Sequence, residues 1–246
     1  MQNKQSGREN RRFHTTRWSL VFLAGNSDSI DGREALGELI ESYWYPLYAY
    51  SRRWGHDEHD ASDLTQGFFA TLLEEQRLPV ASPTRGRFRS FLLSSFKNYS
   101  ANQKRDAKAL KRGGGVIVHS LQFQDSENRY IHEPFTDETA EQLYERSWVN
   151  SLLSRVDARL GENYHRAGRD QLFSLLHPHL MNRSDALPKE TIGVQLKLSA
   201  AAIAMSLHRM RQRYSELVRE EVSATVENSE EVDDELRHLM TIVGNR

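Results

Sequence analysis

RGRFRSFLLSSFKNYSANQKRDAKALKR, Arg85 to Arg112, is the stretch on which the fold and the charge of this 246-residue chain turn. Read at helical spacing, Phe88, Phe91, Leu92, Phe96 and Tyr99 fall on one stripe, which predicts a helix with an apolar face. Lys97, Lys104, Lys108 and Lys111 recur on another side, joined by Arg105 and Arg112. Nine Lys and Arg stand here against the single acid Asp106. The bland alternative is a solvated helix face, but such faces gain from opposite charges four residues apart, and almost no acid sits at that spacing. A helix aromatic at its start and basic at its end suits a nucleic-acid backbone with bases stacking beside it.

Outward from this stretch the pattern stays helical. The first twelve residues read as a basic arm, and Thr15 or Thr16 can cap a short helix through Trp18, Leu20, Val21, Phe22 and Leu23 to Gly25. A second helix is predicted from about Arg33 to Trp54, with Leu36, Leu39, Ile40, Tyr43 and Leu47 on one face and Pro46 kinking or breaking it. Gly55 closes it, and Asp57 or Asp60 can cap the next, His59 to Leu73, where Leu64, Phe68 and Leu72 face inward. Pro79, Pro83 and Gly86 mark a loop, and Gly113-Gly114-Gly115 ends the basic helix. Val116 to Glu133 reads as extended or irregular within an acidic linker. Helical spacing resumes near Ala140 with Leu143, Trp148, Leu152, Leu153, Val156 and Leu160, and again after Gly161 with Leu172, Phe173, Leu175 and Leu176 up to Pro178. The expectation is an all-α protein: an arm (1–12), a helical bundle (13–115), a linker (116–139), a second helical domain (140–222) and an acidic tail (223–246).

Composition sets the outer bounds. Apolar residues make up 38% and charged residues 27%, which describes a globular chain rather than a disordered one. No apolar run is long enough to span a bilayer, and the opening residues MQNKQSGRENRRFH lack the apolar segment of a secretion signal. With no cysteine, disulfides and thiolate zinc sites are excluded, and a cytoplasmic location is expected. The net charge of −1 hides a segregation. Met1 to Gly115 and Pro188 to Val222 are net basic, whereas Val116 to Leu187 and Ser223 to Arg246 are net acidic, which points to a bipartite binder of a polyanion.

Pro188 opens a short predicted helix, Lys189 to Leu196. Lys197-Leu198-Ser199 connects it to a longer one with Ile203, Leu207, Met210, Tyr214 and Leu217 on its inner stripe. Short helix, tight turn with Ser199 as N-cap, and a longer helix make a helix-turn-helix layout, although an ordinary helical hairpin fits the same pattern. Its outer face carries Ser199, Ala200, Ala201, Ala204 and His208, flanked by Arg209, Arg211 and Arg213. Four alanines at its start offer few hydrogen bonds to base edges and leave thymine methyls and phosphates as contacts.

Three segments together resemble the sigma-70 family of bacterial RNA polymerase sigma factors, in particular the two-domain extracytoplasmic-function (ECF) group. Leu39 to Leu73, LIESYWYPLYAYSRRWGHDEHDASDLTQGFFATLL, is similar to the family's second region with its DA-x-DL-x-Q core. Gly86 to Arg112 is similar to the strand-opening and promoter-reading helices, and Leu187 to Val222 to the fourth-region helix-turn-helix. The segments cover a little under half of the chain. The resemblance implies a dissociable initiation factor without catalysis or cofactor, whose partners are core RNA polymerase and promoter DNA. It leaves open an anti-sigma factor or other inhibitor. It also implies roles: Asp60, Asp63 and Gln66 against the polymerase; Arg85, Arg87, Phe88 and Arg89 near a captured base; Asn98, Lys104, Arg105 and Lys108 on the downstream promoter element; Ser199 to Arg213 in the major groove of the upstream one. Lys197 replaces the family's turn glycine, and a left-handed lysine there is strained by roughly 1 kcal/mol. The acidic connector and tail are extra, and the charge pattern suggests that either covers the basic faces.

Two other classes fit parts of the sequence. His56, His59, Asp60 and Asp63 have the spacing of a helical metal site for a hydrolase, though acids at a helix start more often cap it. An operator-binding regulator would use the helix-turn-helix and treat the first bundle as a sensor or dimerisation domain.

Overall fold

The computed structural model describes residues 30–74, 87–106, 120–133, 137–226 and 229–244. All regular structure among the described residues is helical, in agreement with the all-α expectation. In chain order the helices are α1 (Ile30–Arg53), α2 (Glu58–Glu74), α3 (Phe88–Asp106), α4 (Ser120–Ile131), α5 (Ala140–Arg166), α6 (Asp170–Leu180), α7 (Lys189–Leu196), α8 (Ala200–Ser223) and α9 (Ser229–Gly244). The expected arm, the helix near Thr15 to Gly25, the loop with Pro79, Pro83 and Gly86, and the triple glycine lie outside the described residues. No described helix is long and apolar enough to cross a membrane.

The chain divides into two compact units, residues 1–149 with 222–246, and residues 150–221. That boundary differs from the expected one, because the acidic connector and the acidic tail both belong to the first unit. Its core is aromatic. Tyr43, Tyr48, Phe69, Phe88 and Phe96 are fully buried on α1, α2 and α3. Tyr43 meets Phe88 edge-on at 5.3 Å, Phe68 meets Phe96 in the same way at 5.3 Å, and Trp44 stacks on Phe69 at 6.0 Å. Pro46 lies inside α1, which continues through it. Gly55, at φ +104°, ends that helix in a conformation a side chain would strain. Asp57 then caps α2, its Oδ1 accepting from the Asp60 N–H at 2.8 Å.

Part of the connector is helical: Val116 to Glu133 was expected to be extended or irregular, yet Ser120–Ile131 is helix α4. Its acids serve α1: buried Glu127 accepts from Arg52 Nε at 3.0 Å and Nη2 at 2.8 Å, and from the Tyr48 hydroxyl. Glu133 accepts from the Tyr45 hydroxyl at 2.7 Å and pairs with Arg146 at 2.7 Å. Burial first, and then these carboxylates, push both tyrosine hydroxyls well above their ordinary range. Arg129 lies 3.6 Å over the Tyr45 ring. A linker composition therefore hid a helix that covers one side of α1.

In the second unit the rest of α5 packs with α6, α7 and α8. Gly161, expected to end a helix, lies within α5, and Pro178 lies within the last turn of α6. Of the predicted stripes, Leu152, Val156, Leu160, Ile203, Leu207, Met210 and Leu217 are buried and Leu153 and Tyr214 half-buried; on α6 Leu176 is buried while Leu172, Phe173 and Leu175 are half-buried. Arg155 and Arg159 of α5 pair with Glu221 and Glu220 of α8 at 2.5 to 3.2 Å.

One close approach can be tested. A Cβ at Gly67 on α2 would collide with the Tyr99 hydroxyl of α3, while Tyr99 Cζ stays at 3.4 Å. Gly67→Ala is expected to lower the unfolding free energy by about 1 kcal/mol, an overpacking cost of about 2 kcal/mol less a helix-propensity gain of about 1 kcal/mol. In a Tyr99→Phe background the same change should raise it, since Ala exceeds Gly in helix propensity by about 1 kcal/mol. Urea unfolding of the four proteins measures this, and an identical effect in both backgrounds contradicts the contact.

Candidate nucleic-acid interface

In the second unit a tight turn joins α7 to α8, an arrangement that a helix-turn-helix and an ordinary helical hairpin share. Pro188 stands at the N-cap position of α7, and Lys197 closes the helix in the left-handed region at φ 54°, ψ 42°. The Leu198 N–H donates to Gly193 O at 2.9 Å, and the Lys197 N–H donates to Val194 O at 3.3 Å, a glycine-type closure made by a lysine. Gly193 is buried, and a Cβ there would meet Leu198 O at 3.0 Å, so the turn folds back tightly on α7. Ser199 caps α8 through its Oγ, which accepts from the Ala202 N–H at 3.2 Å. Every third or fourth residue from Ile203 onwards turns inward. Burial, and then the Asp157 carboxylate, pushes the half-buried Tyr214 hydroxyl up to about 12.

What remains outward is the predicted face. Ser199, Ala200, Ala201, Ala204, His208, Arg209 and Arg211 are all exposed. Arg213 departs from that expectation: it is half-buried and bound by Glu216 at 3.1 Å and Glu220 at 3.2 Å, so its charge is offset before any phosphate arrives. Met205 is 52% exposed on the same helix and Val194 is 79% exposed on α7, which adds apolar surface suited to thymine methyls. The face can take phosphates and methyl groups better than it can read hydrogen-bonding patterns.

In the first unit the predicted residues separate. Asp60 and Asp63 are exposed on α2, and Gln66 is half-buried. Asn98 is exposed on α3. Lys104 and Arg105 fall on the last turn of α3, with only their backbone described, while Arg85 and Lys108 lie outside the described residues. Phe88 and Arg89, expected beside a captured base, are interior. Phe88 is 0% exposed and Arg89 2% exposed, because the aromatic start of α3 is the part that fills the core. Arg89 lies 4.6 Å over the Trp148 ring, donates from Nε to Glu145 at 2.7 Å and pairs through Nη1 with Glu235 of α9. The Tyr144 hydroxyl donates to the Arg89 carbonyl at 3.0 Å. Arg87 is half-buried, its Nε 2.9 Å from Glu235. Lys97 pairs with Glu141 at 2.6 Å, a contact that holds the Glu141 carboxyl below its ordinary range.

Glu235, Glu145 and Trp148 went unforeseen as partners of the basic helix. Only Glu235 left a signal: Val232, Glu235 and Leu239 recur at three- and four-residue spacing, the pattern of a helix with a buried stripe. A second unforeseen feature is an aromatic step. Trp54, 58% exposed, stacks on Tyr50 at 6.0 Å beside a cleft of about 340 Å³, with Lys97 Nζ 5.5 Å over the Tyr50 ring. Such a step accepts a planar ring. Among the described residues no group of three His, Asp or Glu is placed to hold a metal ion, and His56 precedes α2.

No protein-family model, curated protein or solved structure matches the chain. The resemblance to sigma factors rests on its three segments alone.

The strained turn gives a direct check. Lys197→Gly should stabilise the second unit by about 0.5 kcal/mol, the relief of the left-handed lysine less the extra unfolded-state freedom of glycine. Chemical denaturation measures it, and a loss of stability contradicts the turn geometry.

Proposed function

We propose that this chain is a dissociable sigma factor of the ECF group, which binds core RNA polymerase and directs it to promoter DNA. The observation that carries the reading is the α7–α8 pair: a short helix, a left-handed turn, a capped longer helix, and an outward face holding His208, Arg209 and Arg211. The exposed Asp60 and Asp63 on α2 support a second contact, with a basic surface of the polymerase. The chain performs no covalent step in this reading. Its contribution is phosphate contacts, docking and placement of bases, all weakened by salt.

An operator-binding regulator is the competing reading, and the burial of Phe88 and Arg89 favours it, since a protein that never melts DNA needs no base-capturing surface there. Core polymerase separates the two.

Purified chain mixed with core polymerase should form a complex that starts transcripts at discrete sites. Asp63→Arg should lower the affinity for core at least tenfold, the effect of reversing one charge at a docking surface, about 1.4 kcal/mol or more. Failure of the unaltered chain to bind core while it still binds duplex DNA would establish the regulator instead. In either reading Arg209→Ala and Arg211→Ala should each weaken duplex binding and flatten its salt dependence by about one unit of slope.

A further inference from the structure

The cleft beside Trp54 lies between the end of α1 and α3, within the first unit, and holds about 340 Å³. A cavity of about 150 Å³ already takes benzene, so this one has room for two fused rings and a substituent. Its walls are aromatic. Tyr50 and Phe96 are buried and meet edge-on at 6.1 Å, while Trp54 lies within 17° of parallel to Tyr50 and stays exposed. The backbone keeps the indole there: the Trp54 N–H donates to Tyr50 O at 2.9 Å, and Gly55, in its left-handed conformation, turns the chain away directly afterwards. A flat molecule in the cleft would remove this indole surface from water.

The polar lining selects the charge of such a molecule. No Asp or Glu is among the described residues that line the cleft, whereas Lys97 is. Lys97 Nζ donates to Glu141 at 2.6 Å, with the two side chains 40% and 44% exposed. An ammonium has three N–H donors, and an ion pair so open to water is weak, so Lys97 can serve a second anion. Ser51 lines the same cleft at 1% exposure, and its hydroxyl has no hydrogen-bond partner among the described residues. Earlier on α1, buried Ser42 donates back to Glu38 O at 2.6 Å, the usual way for a helical serine to satisfy itself. A buried hydroxyl that forgoes that bond beside a cleft is a donor in want of an acceptor.

We propose that this cleft binds a small aromatic acid, its one or two rings seated against Tyr50, Trp54 and Phe96 and its carboxylate held by Lys97, with the Ser51 hydroxyl as second donor. The inference is independent of the sigma reading, since neither polymerase nor DNA takes part in the contact.

The test is calorimetric titration of 2-naphthoate into the full chain and into Trp54→Ala, Lys97→Gln, Ser51→Ala and Ala101→Leu, with 2-naphthamide as the uncharged isostere. The full chain should bind one equivalent with a Kd of about 1 mM or tighter, the range for a ligand of this size. Trp54→Ala and Lys97→Gln should each weaken binding about fivefold or more, and 2-naphthamide should bind the full chain more weakly by a similar factor. Ser51→Ala should weaken it about threefold while the urea midpoint stays level or rises, because the change removes an unpaired buried hydroxyl. Ala101 lines the cleft from an exposed position, so Ala101→Leu should fill the space and abolish binding without loss of fold. No binding of 2-naphthoate by the folded chain, or undiminished binding by Ala101→Leu, overturns the site. Equal affinity for the amide, or no effect of Lys97→Gln, overturns the assignment to an acid. Displacement of 2-naphthoate by oligothymidylate overturns the small-molecule assignment in favour of a base of a strand.

Discussion

A guanidinium sealed against an indole demands a carboxylate, and in the first unit Arg89 makes that demand. Moving such a charge out of water costs several kcal/mol, and leaving it unpaired after losing a partner costs roughly 3–5 kcal/mol. Two acids answer, Glu145 at 2.7 Å from α5 and Glu235 from α9. Both lie far along the chain from Arg89, so satisfying one buried cation requires the start of α5 and the whole of α9 to join α1, α2 and α3. That requirement accounts for the chain dividing at residue 149 and for its return to the first unit at residue 222.

The same pairing changes the meaning of the charge pattern. In sequence, basic and acidic blocks are separate; in space, the acidic blocks of the first unit are the counterions of its basic helices. Glu127 answers Arg52, Glu141 answers Lys97, and Glu235 answers Arg87 and Arg89. Arg89 and Lys97, the cations of α3 whose side chains are described, are thereby offset. On the second unit the start of α8 keeps His208, Arg209 and Arg211 outward, and only Arg213 is drawn into pairs with glutamates further along the helix. A polyanion approaching the described surface meets its clearest cationic face on α8.

Helices were legible wherever burial follows a single period. The stripes of α2, α3 and α8 could be read because each helix has one wet side and one dry side, whereas α1 is buried all round from Ser42 to Ser51 and its expected face is only part of what it buries. The turn was legible too, since only one short connection joins Leu196 to Ser199 and the left-handed backbone falls on Lys197. Helix α4 escaped because its buried positions include Ser126 and Glu127, polar residues that no hydrophobic pattern registers. The locations of Phe88 and Arg89 escaped for a related reason. Aromatic and arginine side chains serve equally well to stack bases and to pack a core, and only the tertiary partners Tyr43, Trp148, Glu145 and Glu235 decide between them. Helix α9 was hidden by its acidity, which reads as solvated although Val232, Glu235 and Leu239 are buried.

Arginine-selective labelling with phenylglyoxal, followed residue by residue by mass spectrometry, tests most directly the claim that late acids close over Arg89 while α8 stays open. Arg209 and Arg211 should react at rates near those of an exposed peptide, and Arg89 should react only on the slow timescale of local opening. Labelling of Arg89 as fast as that of Arg211 would contradict the account.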